Sequence, residues 1–208
     1  AVTVYGVGAL SAPNGMALDG VGNLYVSDTG HHRLLKYDIA TGAALVTMGS
    51  GPGTFAGQLS SPQGMAVGPD GNVWVAEKYN KRFSVFGTDG VFVKAVTAVG
   101  TTWSDPQQIR FKDGVIWLLD SYDNSFTALQ VYDTQGNFLA NYAYYKAVDG
   151  LVNGSRGFDF DLNGGFYLAT GATGKVFRYM PCEAIPTPTP SATPAVTACE
   201  TYYAEGTI

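Results

Sequence analysis

One motif occurs twice in nearly identical form in this chain and twice more in weaker form. Pro13–Leu18 reads Pro-Asn-Gly-Met-Ala-Leu, and it returns at Pro62–Val67 as Pro-Gln-Gly-Met-Ala-Val. Weaker copies around Gln108 and Gly157 give spacings of 49, 44 and 49 residues. Periods of this size predict an array of supersecondary units, each of which needs its neighbours to bury its apolar faces.

Each repeat reads as short strands joined by tight turns. In the first repeat, Met16–Leu18 and Leu24–Val26 are apolar runs separated by Asp19–Asn23, which has the Gly, Asp and Asn chemistry of a hairpin. Two further strands follow in each unit, and no segment shows a helical period. The pattern predicts an all-β fold made of four-stranded blades, which is the plan of a β-propeller. We interpret the aromatic residues at one position of the second strands as core: Tyr25, Trp74, Trp117 and Tyr167.

The motifs Pro-x-Gly-Met-Ala-Val, Asp-Gly-Asn-Val-Trp-Val-Ala and an acid followed by Arg-x-x-Val-Phe resemble NHL repeats, over roughly residues 1–180. Repeat three departs from the pattern with Gln108 in place of glycine, and repeat four with Thr170 and Lys175 in place of the acid and arginine. The resembled family contains lyases, RNA-binding modules and protein-interaction platforms. The resemblance therefore implies a propeller and leaves the activity open.

The strand count predicts how the propeller closes. Repeat four stops at Met180 without an outer strand, whereas Val2–Gly6 parallels the outer strand of repeat one. We expect residues 1–6 to complete the last blade and close a four-bladed ring, which would also remove an exposed sheet edge. The alternative is that the chain is a fragment of a six-bladed propeller.

Charged residues at matching positions predict ion pairs with structural roles. The acid of the repeat precedes an arginine by five residues in repeats one and two, and opposite charges occupy one position of the first strands in repeats three and four. The predicted pairs are Asp28 with Arg33, Glu77 with Arg82, and Arg110 with Asp159. For the last pair, two unrelated solvated charges are the alternative.

Composition limits the classes of partner. The net charge is −5, only 14% of the residues are charged, and no Lys/Arg cluster is present. Nucleic-acid binding requires a basic surface that neutralises phosphates, so we expect no nucleic-acid partner. No run of 18 apolar residues occurs, so we expect no membrane span.

The composition changes after Met180, which predicts a propeller domain at 1–180 and a tail at 181–208. The tail contains a Thr/Pro-rich run that favours extended polyproline II and resembles the spacers of secreted bacterial surface proteins. Expected glycosylation sites are the tail threonines and one sequon in the propeller: Thr187, Thr189, Thr193 and Asn153.

The two cysteines, Cys182 and Cys199, flank this run. Both lie outside the repeats, which favours a disulfide and an oxidising compartment. An intrachain bridge is the first reading, and interchain bridges or free thiols are the alternatives. Expected interaction residues are tyrosines in the linker between repeats three and four and in the tail, with local packing as the alternative: Tyr144, Tyr145, Tyr202 and Tyr203.

The sequence offers little catalytic chemistry. The only histidines, His31 and His32, are adjacent in one turn, and a catalytic zinc needs three converging protein ligands. We therefore assign no catalytic residue, no metal ligand and no cofactor. The sequence analysis predicts a secreted, non-enzymatic structural or interaction module of a cell-surface or extracellular assembly, such as a polymer or filament subunit tethered through its C-terminal tail. The expected partners are a second copy of the chain, a neighbouring surface domain or a glycan. The alternatives are a propeller enzyme, either a lyase or a hydrolase, and a carbohydrate-binding module.

Overall fold

The structure, a computed structural model, describes most of the repeat region. The described residues are 5–6, 9–122, 126–146, 155–162, 165–170 and 175–179. Within them the protein is all-β, apart from one short 3₁₀ turn at Thr29–His31. The chain divides into two compact units, residues 1–97 and 98–208, and each is described by itself.

The first unit contains two four-stranded antiparallel sheets, which we call blades one and two. In each, the strands follow one another in chain order across the sheet. Blade one consists of β1 Pro13–Leu18, β2 Asn23–Asp28, β3 Arg33–Asp38 and β4 Ala44–Met48. Blade two consists of β5 Pro62–Val67, β6 Val73–Glu77, β7 Arg82–Phe86 and β8 Phe92–Val96.

The second unit contains blades three and four, with the same antiparallel order. Blade three consists of β9 Pro106–Lys112, β10 Val115–Tyr122, β11 Phe126–Tyr132 and β12 Phe138–Lys146. The described strands of blade four are β13 Ser155–Phe160, β14 Phe166–Thr170 and β15 Lys175–Tyr179.

Acidic residues fix the turns between the first two strands of a blade. Oδ1 of Asp19 accepts hydrogen bonds from the backbone N–H groups of Val21 and Asn23, both at 3.0 Å. In the matching turn of blade two, Asp70 accepts from the backbone N–H of Asn72 at 3.1 Å. These turns form because a short carboxylate replaces the backbone partners that a tight hairpin leaves unpaired.

The core lies between neighbouring sheets of each unit. One apolar layer joins blades one and two, and its buried members are Tyr25, Leu34, Met48, Leu59, Met65, Val73, Val75 and Phe86. A second layer joins blades three and four, formed by Val115, Trp117, Leu119, Leu129, Val131, Phe158, Phe166 and Leu168. Burial on both faces explains why β2 and β6 are continuously apolar through their centres instead of alternating. In blade four the interpretation of Tyr167 as core is wrong, because this residue is 41% exposed.

The first strand of every blade, which is the innermost strand of a propeller blade, carries one extra residue near its start. We call this irregularity the strand-start bulge. In blade one, Pro13 pairs with Asp28 and Met16 pairs with Val26, so two residues oppose one. The same irregularity recurs in the other blades at Gln63–Gly64, Gln107 and Arg156. A bulge bends a strand and redirects a side chain, and bulges are frequent beside active sites.

In blades one and three, the residue after the polar bulge residue lies against the next blade of the same unit. A Cβ on Gly15 would meet the carbonyl oxygen of Gln63 and lie 2.7 Å from Cα of Gly64, so only glycine fits. In blade three Gln108 takes this place, and its amide reaches blade four. Its Oε1 accepts the N–H of Phe158 at 2.8 Å and its Nε2 donates to the carbonyl of Phe158 at 3.1 Å. The glutamine thus replaces close backbone contact by a side-chain bridge.

The structure confirms the all-β, four-stranded blade plan, and four blades occur in the described residues. The prediction that residues 1–6 complete blade four stays a prediction, because residues 1–4 lie outside the described residues. Tyr5, which is described, packs its ring edge-on against Tyr37 with centroids 5.8 Å apart, and its hydroxyl donates to the carbonyl of Ile39. In the described part of the chain, no helix is long and apolar enough to cross a membrane.

Candidate functional site

A buried carboxylate ends the second strand of blade one and gathers donors from three segments. Oδ1 of Asp28 accepts the backbone N–H of Ser11 at 2.6 Å. Its Oδ2 accepts Nε of Arg33 at 2.7 Å and contacts Nδ1 of His31 at 2.9 Å. Arg33 also donates to the carbonyl of Ala9 at 2.8 Å. We call this arrangement, and its equivalents in the other blades, the acid clamp, because it ties the incoming loop to the hairpin.

Blade two repeats the clamp with a longer acid. Glu77 is fully buried and accepts the backbone N–H of Ser60 at 2.7 Å. Nε of Arg82 and the hydroxyl of Ser84 both donate to its Oε1 at 2.6 Å. Nδ2 of Asn80 donates to its Oε2, also at 2.6 Å. Because every donor comes from the same blade or its incoming loop, the clamp is primarily a structural device.

The two clamps differ in the residue three positions after the acid. Blade two has Asn80 there, an amide without acid–base capacity, and blade one has His31 in the same place with the same bond to the acid. The side chain of His31 is 51% exposed, whereas that of Asp28 is fully buried. With Nδ1 donating to Asp28, Nε2 of the neutral ring is an acceptor that faces outward, as in a general base oriented by a carboxylate.

The carboxylate of Asp28 is held in its charged form. Burial by itself would raise its pKa, but the hydrogen bonds from Ser11, Arg33 and His31 together outweigh burial and lower the pKa below the ordinary 3.8. A carboxylate that stays ionised can fix the tautomer and orientation of His31 at neutral pH.

The neighbouring histidine has a different role. Nδ1 of His32 accepts the backbone N–H of Ser61 at 3.0 Å, which links the hairpin of blade one to the start of blade two. Its backbone is left-handed, with φ of 55°. His32 is therefore part of the packing between blades one and two.

Blade three has a buried acid at the same position, Asp120, but no arginine opposite it. Asp120 is fully buried and accepts the backbone N–H groups of Ser104 at 2.8 Å and Asp105 at 2.5 Å. Its cross-strand neighbour is Ala128, where blades one and two have arginine. In blade four the corresponding residues are Thr170 and Lys175, whose side chains lie outside the described residues.

The third predicted pair joins blades three and four. Nε of Arg110 lies 3.6 Å from Oδ1 of Asp159, with side chains 31% and 73% exposed. Exposed pairs of this kind contribute about 0–1 kcal/mol, so this contact is a minor stabilising feature.

The strand-start bulge places a polar residue at the same point of every blade, and sequence reasoning did not single out this set. Its members are Asn14, Gln63, Gln107 and Arg156. In the second unit, Nη1 of Arg156 lies 3.5 Å from Oε1 of Gln107. A signal was present in the aligned repeats, because blade four replaces the proline and amide of the others by Ser155 and Arg156.

The remaining predicted residues are not placed by the structure. Tyr144 and Tyr145 belong to β12, and their side chains lie outside the described residues. The predicted disulfide, glycosylation and tail-interaction residues also lie outside them: Cys182, Cys199, Thr187, Thr189, Thr193, Asn153, Tyr202 and Tyr203. These assignments, the tail at 181–208 and the extracellular location stay predictions. Among the residues that the structure does describe, no three His, Cys, Asp or Glu side chains cluster in a way that could hold a metal ion.

Comparison with known proteins gives one family match. The sequence model of the SMP-30/gluconolactonase/LRE-like region matches residues 4–106, just under half of the chain. No curated protein sequence matches the chain.

Solved structures cover far more of the chain. A catalytically inactive virginiamycin B lyase from Staphylococcus aureus, solved with quinupristin, matches 85% of the chain with a TM-score of 0.61 and 16% identity. A gluconolactonase from Xanthomonas campestris matches 84% with a TM-score of 0.60 and 14% identity. A structure of the nidogen/laminin complex matches 82% with a TM-score of 0.63 and 17% identity. The fold is a β-propeller. The chain spans 56%, 60% and 61% of these three structures, respectively.

The comparisons correct the functional prediction from the sequence. The prediction of a non-enzymatic structural module is wrong, because the matching family model and several similar structures are of lactonases and lyases. Two adjacent histidines are too few for a three-ligand zinc site. A single histidine oriented by a buried carboxylate fails that count and still has the geometry of a general base.

Proposed function

We propose that this chain forms at least part of a propeller enzyme, a hydrolase or lyase that opens a lactone or related cyclic ester. The observation that carries the proposal is the Asp28–His31 pair, which lies inside residues 4–106 that match the SMP-30/gluconolactonase/LRE-like model. The likeness to lyase and gluconolactonase structures supports the same reaction class. The narrower likeness to NHL repeats rests on the motifs of repeats one and two.

His31 is the proposed catalytic residue and Asp28 the positioning residue. In hydrolysis, Nε2 of His31 takes a proton from water while the water oxygen bonds to the lactone carbonyl carbon. The ring C–O bond then breaks, and the imidazolium returns the proton to the departing ring oxygen. The product is an open hydroxy acid, and the ring of His31 ends as it began. In a lyase reaction the same nitrogen would remove a proton from the carbon next to the one that bears the ester oxygen. A C=C bond then forms as the bond between the latter carbon and the ester oxygen breaks, and the ester leaves as a carboxylate.

Blade two supplies the substitution that tests this role. His31→Asn installs the residue that blade two carries at the same position, so a donor to the buried acid is retained and the ionisable ring is lost. We expect the value of kcat/KM for ring opening to fall about 10²–10⁴-fold, the usual contribution of a general base, with little change in the free energy of unfolding.

His32→Asn is the matched control. Asparagine tolerates the left-handed backbone of this residue, and its carbonyl oxygen can accept the N–H of Ser61 in place of Nδ1. We expect this variant to retain the activity of the parent protein.

Ring opening should be followed by proton release with glucono-δ-lactone and by mass spectrometry with quinupristin. Hydrolysis adds one water to the product, whereas elimination leaves the mass unchanged. A folded protein that opens neither compound, or a His31→Asn variant as active as its parent, would refute the proposal.

A further inference from the structure

The strand-start bulges of blades three and four bring two polar side chains together. Gln107 and Arg156 are each the extra residue of their strand, and Nη1 of Arg156 lies 3.5 Å from Oε1 of Gln107. A guanidinium only donates, so the amide oxygen is the atom that faces the arginine. The amide nitrogen of Gln107 is therefore left to find another partner.

Among the described residues, the amide nitrogen of Gln107 has no such partner. Gln107 is only 4% exposed, and its Nε2 makes no hydrogen bond to any described residue. Blade two shows the satisfied arrangement, since Nε2 of the equally buried Gln63 donates to Oγ of Ser61 at 2.9 Å. A buried amide without an acceptor is unfavourable, and such groups are rare unless a bound molecule completes them.

A second unsatisfied donor lies beside Arg156 in the chain. Ser155 is fully buried, and its Oγ has no hydrogen-bond partner among the described residues. Blades one to three start their innermost strand with proline, which has no hydroxyl, so this group is particular to blade four. Arg156 itself is exposed and gives the cluster a positive charge.

The neighbouring acids are largely engaged elsewhere. Asp159 contacts Arg110, and Asp120 accepts the backbone N–H groups of Ser104 and Asp105. Asp105 is buried and lies one residue before β9, so its carboxylate would repel an anionic ligand bound nearby. The cluster thus offers an amide N–H, a hydroxyl and a guanidinium, all of them donors, and a carboxylate accepts from all three.

We propose that Gln107, Ser155 and Arg156 form a binding site for the carboxylate of a small acidic ligand. The site belongs to the second unit and uses no residue of the Asp28–His31 pair. It goes beyond the proposed lactone chemistry and does not depend on it.

Calorimetric titration of the full chain with sodium gluconate, at fixed ionic strength, tests the site, with glucose as the uncharged analogue. We expect gluconate to bind and glucose not to bind. Arg156→Gln should weaken gluconate binding about 10–100-fold, the loss that accompanies one charge-assisted hydrogen bond. Arg110→Gln removes the same charge from the same unit and should leave the affinity within about twofold, because Arg110 pairs with Asp159 in an exposed contact.

Gln107→Met and Gln63→Met form the second matched pair. Gln107→Met replaces an unsatisfied amide by an apolar side chain, so the melting temperature without ligand should not fall, while gluconate binding weakens. Gln63→Met breaks the bond to Ser61, so it should lower the melting temperature and leave gluconate binding unchanged.

Equal binding of glucose and gluconate, no gluconate binding by the folded protein, or parental affinity in Arg156→Gln would each overturn the site. Because binding is measured directly, such a result is distinguishable from a failure of ring opening.

Discussion

Blades one and two differ from blades three and four in where their polar groups find partners. In blades one and two, the buried acid meets an arginine five residues later, and Gln63 bonds inside its own blade. In blade three, Ala128 stands opposite the acid, and the amide nitrogen of Gln107 has no partner among the described residues. In blades one and two, the buried acid and Gln63 are hydrogen-bonded within their own blade or the loop that enters it. Among the described residues, the side chains of Gln107 and Ser155 have unsatisfied donors, and both lie in the blades that depart from the repeat pattern.

The physical reason lies in burial. A buried charge or amide that is fully bonded within its blade adds rigidity and leaves no group free to bind a ligand. When a substitution removes one member of a hydrogen-bonded pair, the remaining donor can bond to an acceptor on a ligand. The comparison therefore attributes stability to the acid clamps of the first unit, whereas the proposed carboxylate site lies at the bulges of the second.

Among the substitutions that test this comparison, Glu77→Ala should cause the largest loss in the free energy of unfolding. It leaves the side chain of Arg82, which is 11% exposed, without its carboxylate and removes four hydrogen bonds of the clamp. We expect a loss of about 3–5 kcal/mol in the free energy of unfolding, measured by urea denaturation, as for other broken buried pairs.

Asp89→Ala is the control for Glu77→Ala. Asp89 is an exposed turn acid of the same blade that accepts only the N–H of Val91, so we expect a loss within about 1 kcal/mol. Equal losses in the two variants would show that the clamp does not stabilise blade two.

Of the two clamp arginines, Arg82 should contribute more to the free energy of unfolding than Arg33. Arg82 donates to the carbonyls of Thr54 and Gln58 at 2.7 and 2.8 Å, whereas Arg33 donates to one carbonyl and its side chain is 32% exposed. Arg82→Ala should cost about 1–2 kcal/mol more in unfolding free energy than Arg33→Ala, roughly one additional charged hydrogen bond. The reverse order would indicate that blade one, not blade two, depends more on its clamp.

Lowering the pH should reduce the free energy of unfolding through the blade-one clamp, by less than the substitutions above. The pKa of Asp28 is lowered in the folded protein, so its contribution to stability is present above the ordinary value of 3.8 and is lost as pH falls through the folded pKa. The free energy of unfolding should therefore decline below about pH 4, and the decline should be shallower in Asp28→Asn, whose amide does not titrate. Identical pH profiles for the two proteins would mean that other carboxylates account for the acid sensitivity.

Local patterns made much of the architecture predictable. The apolar runs and Asp-Gly turns of each repeat specify short strands, and the period specifies four-stranded blades, because both depend on residues close in the sequence. The pairing of Asp28 with Arg33 follows from the same logic, since five residues span one tight hairpin. The sequence does not indicate a role for His31, because the orientation of its ring depends on Asp28, a carboxylate whose burial the sequence does not display.

By itself, the sequence determined the repeats, the strands and the acid–arginine pairs of blades one and two, because each arises from residues within one repeat and its hairpins. Only the tertiary structure decided that Gln108 bridges two blades and that Gln107 meets Arg156, 49 residues further along the chain. Those contacts depend on how neighbouring sheets stack and on one extra residue in each inner strand. A bulge redirects a side chain without changing the apolar pattern, so the aligned repeats mark these positions as polar but do not show what their side chains contact.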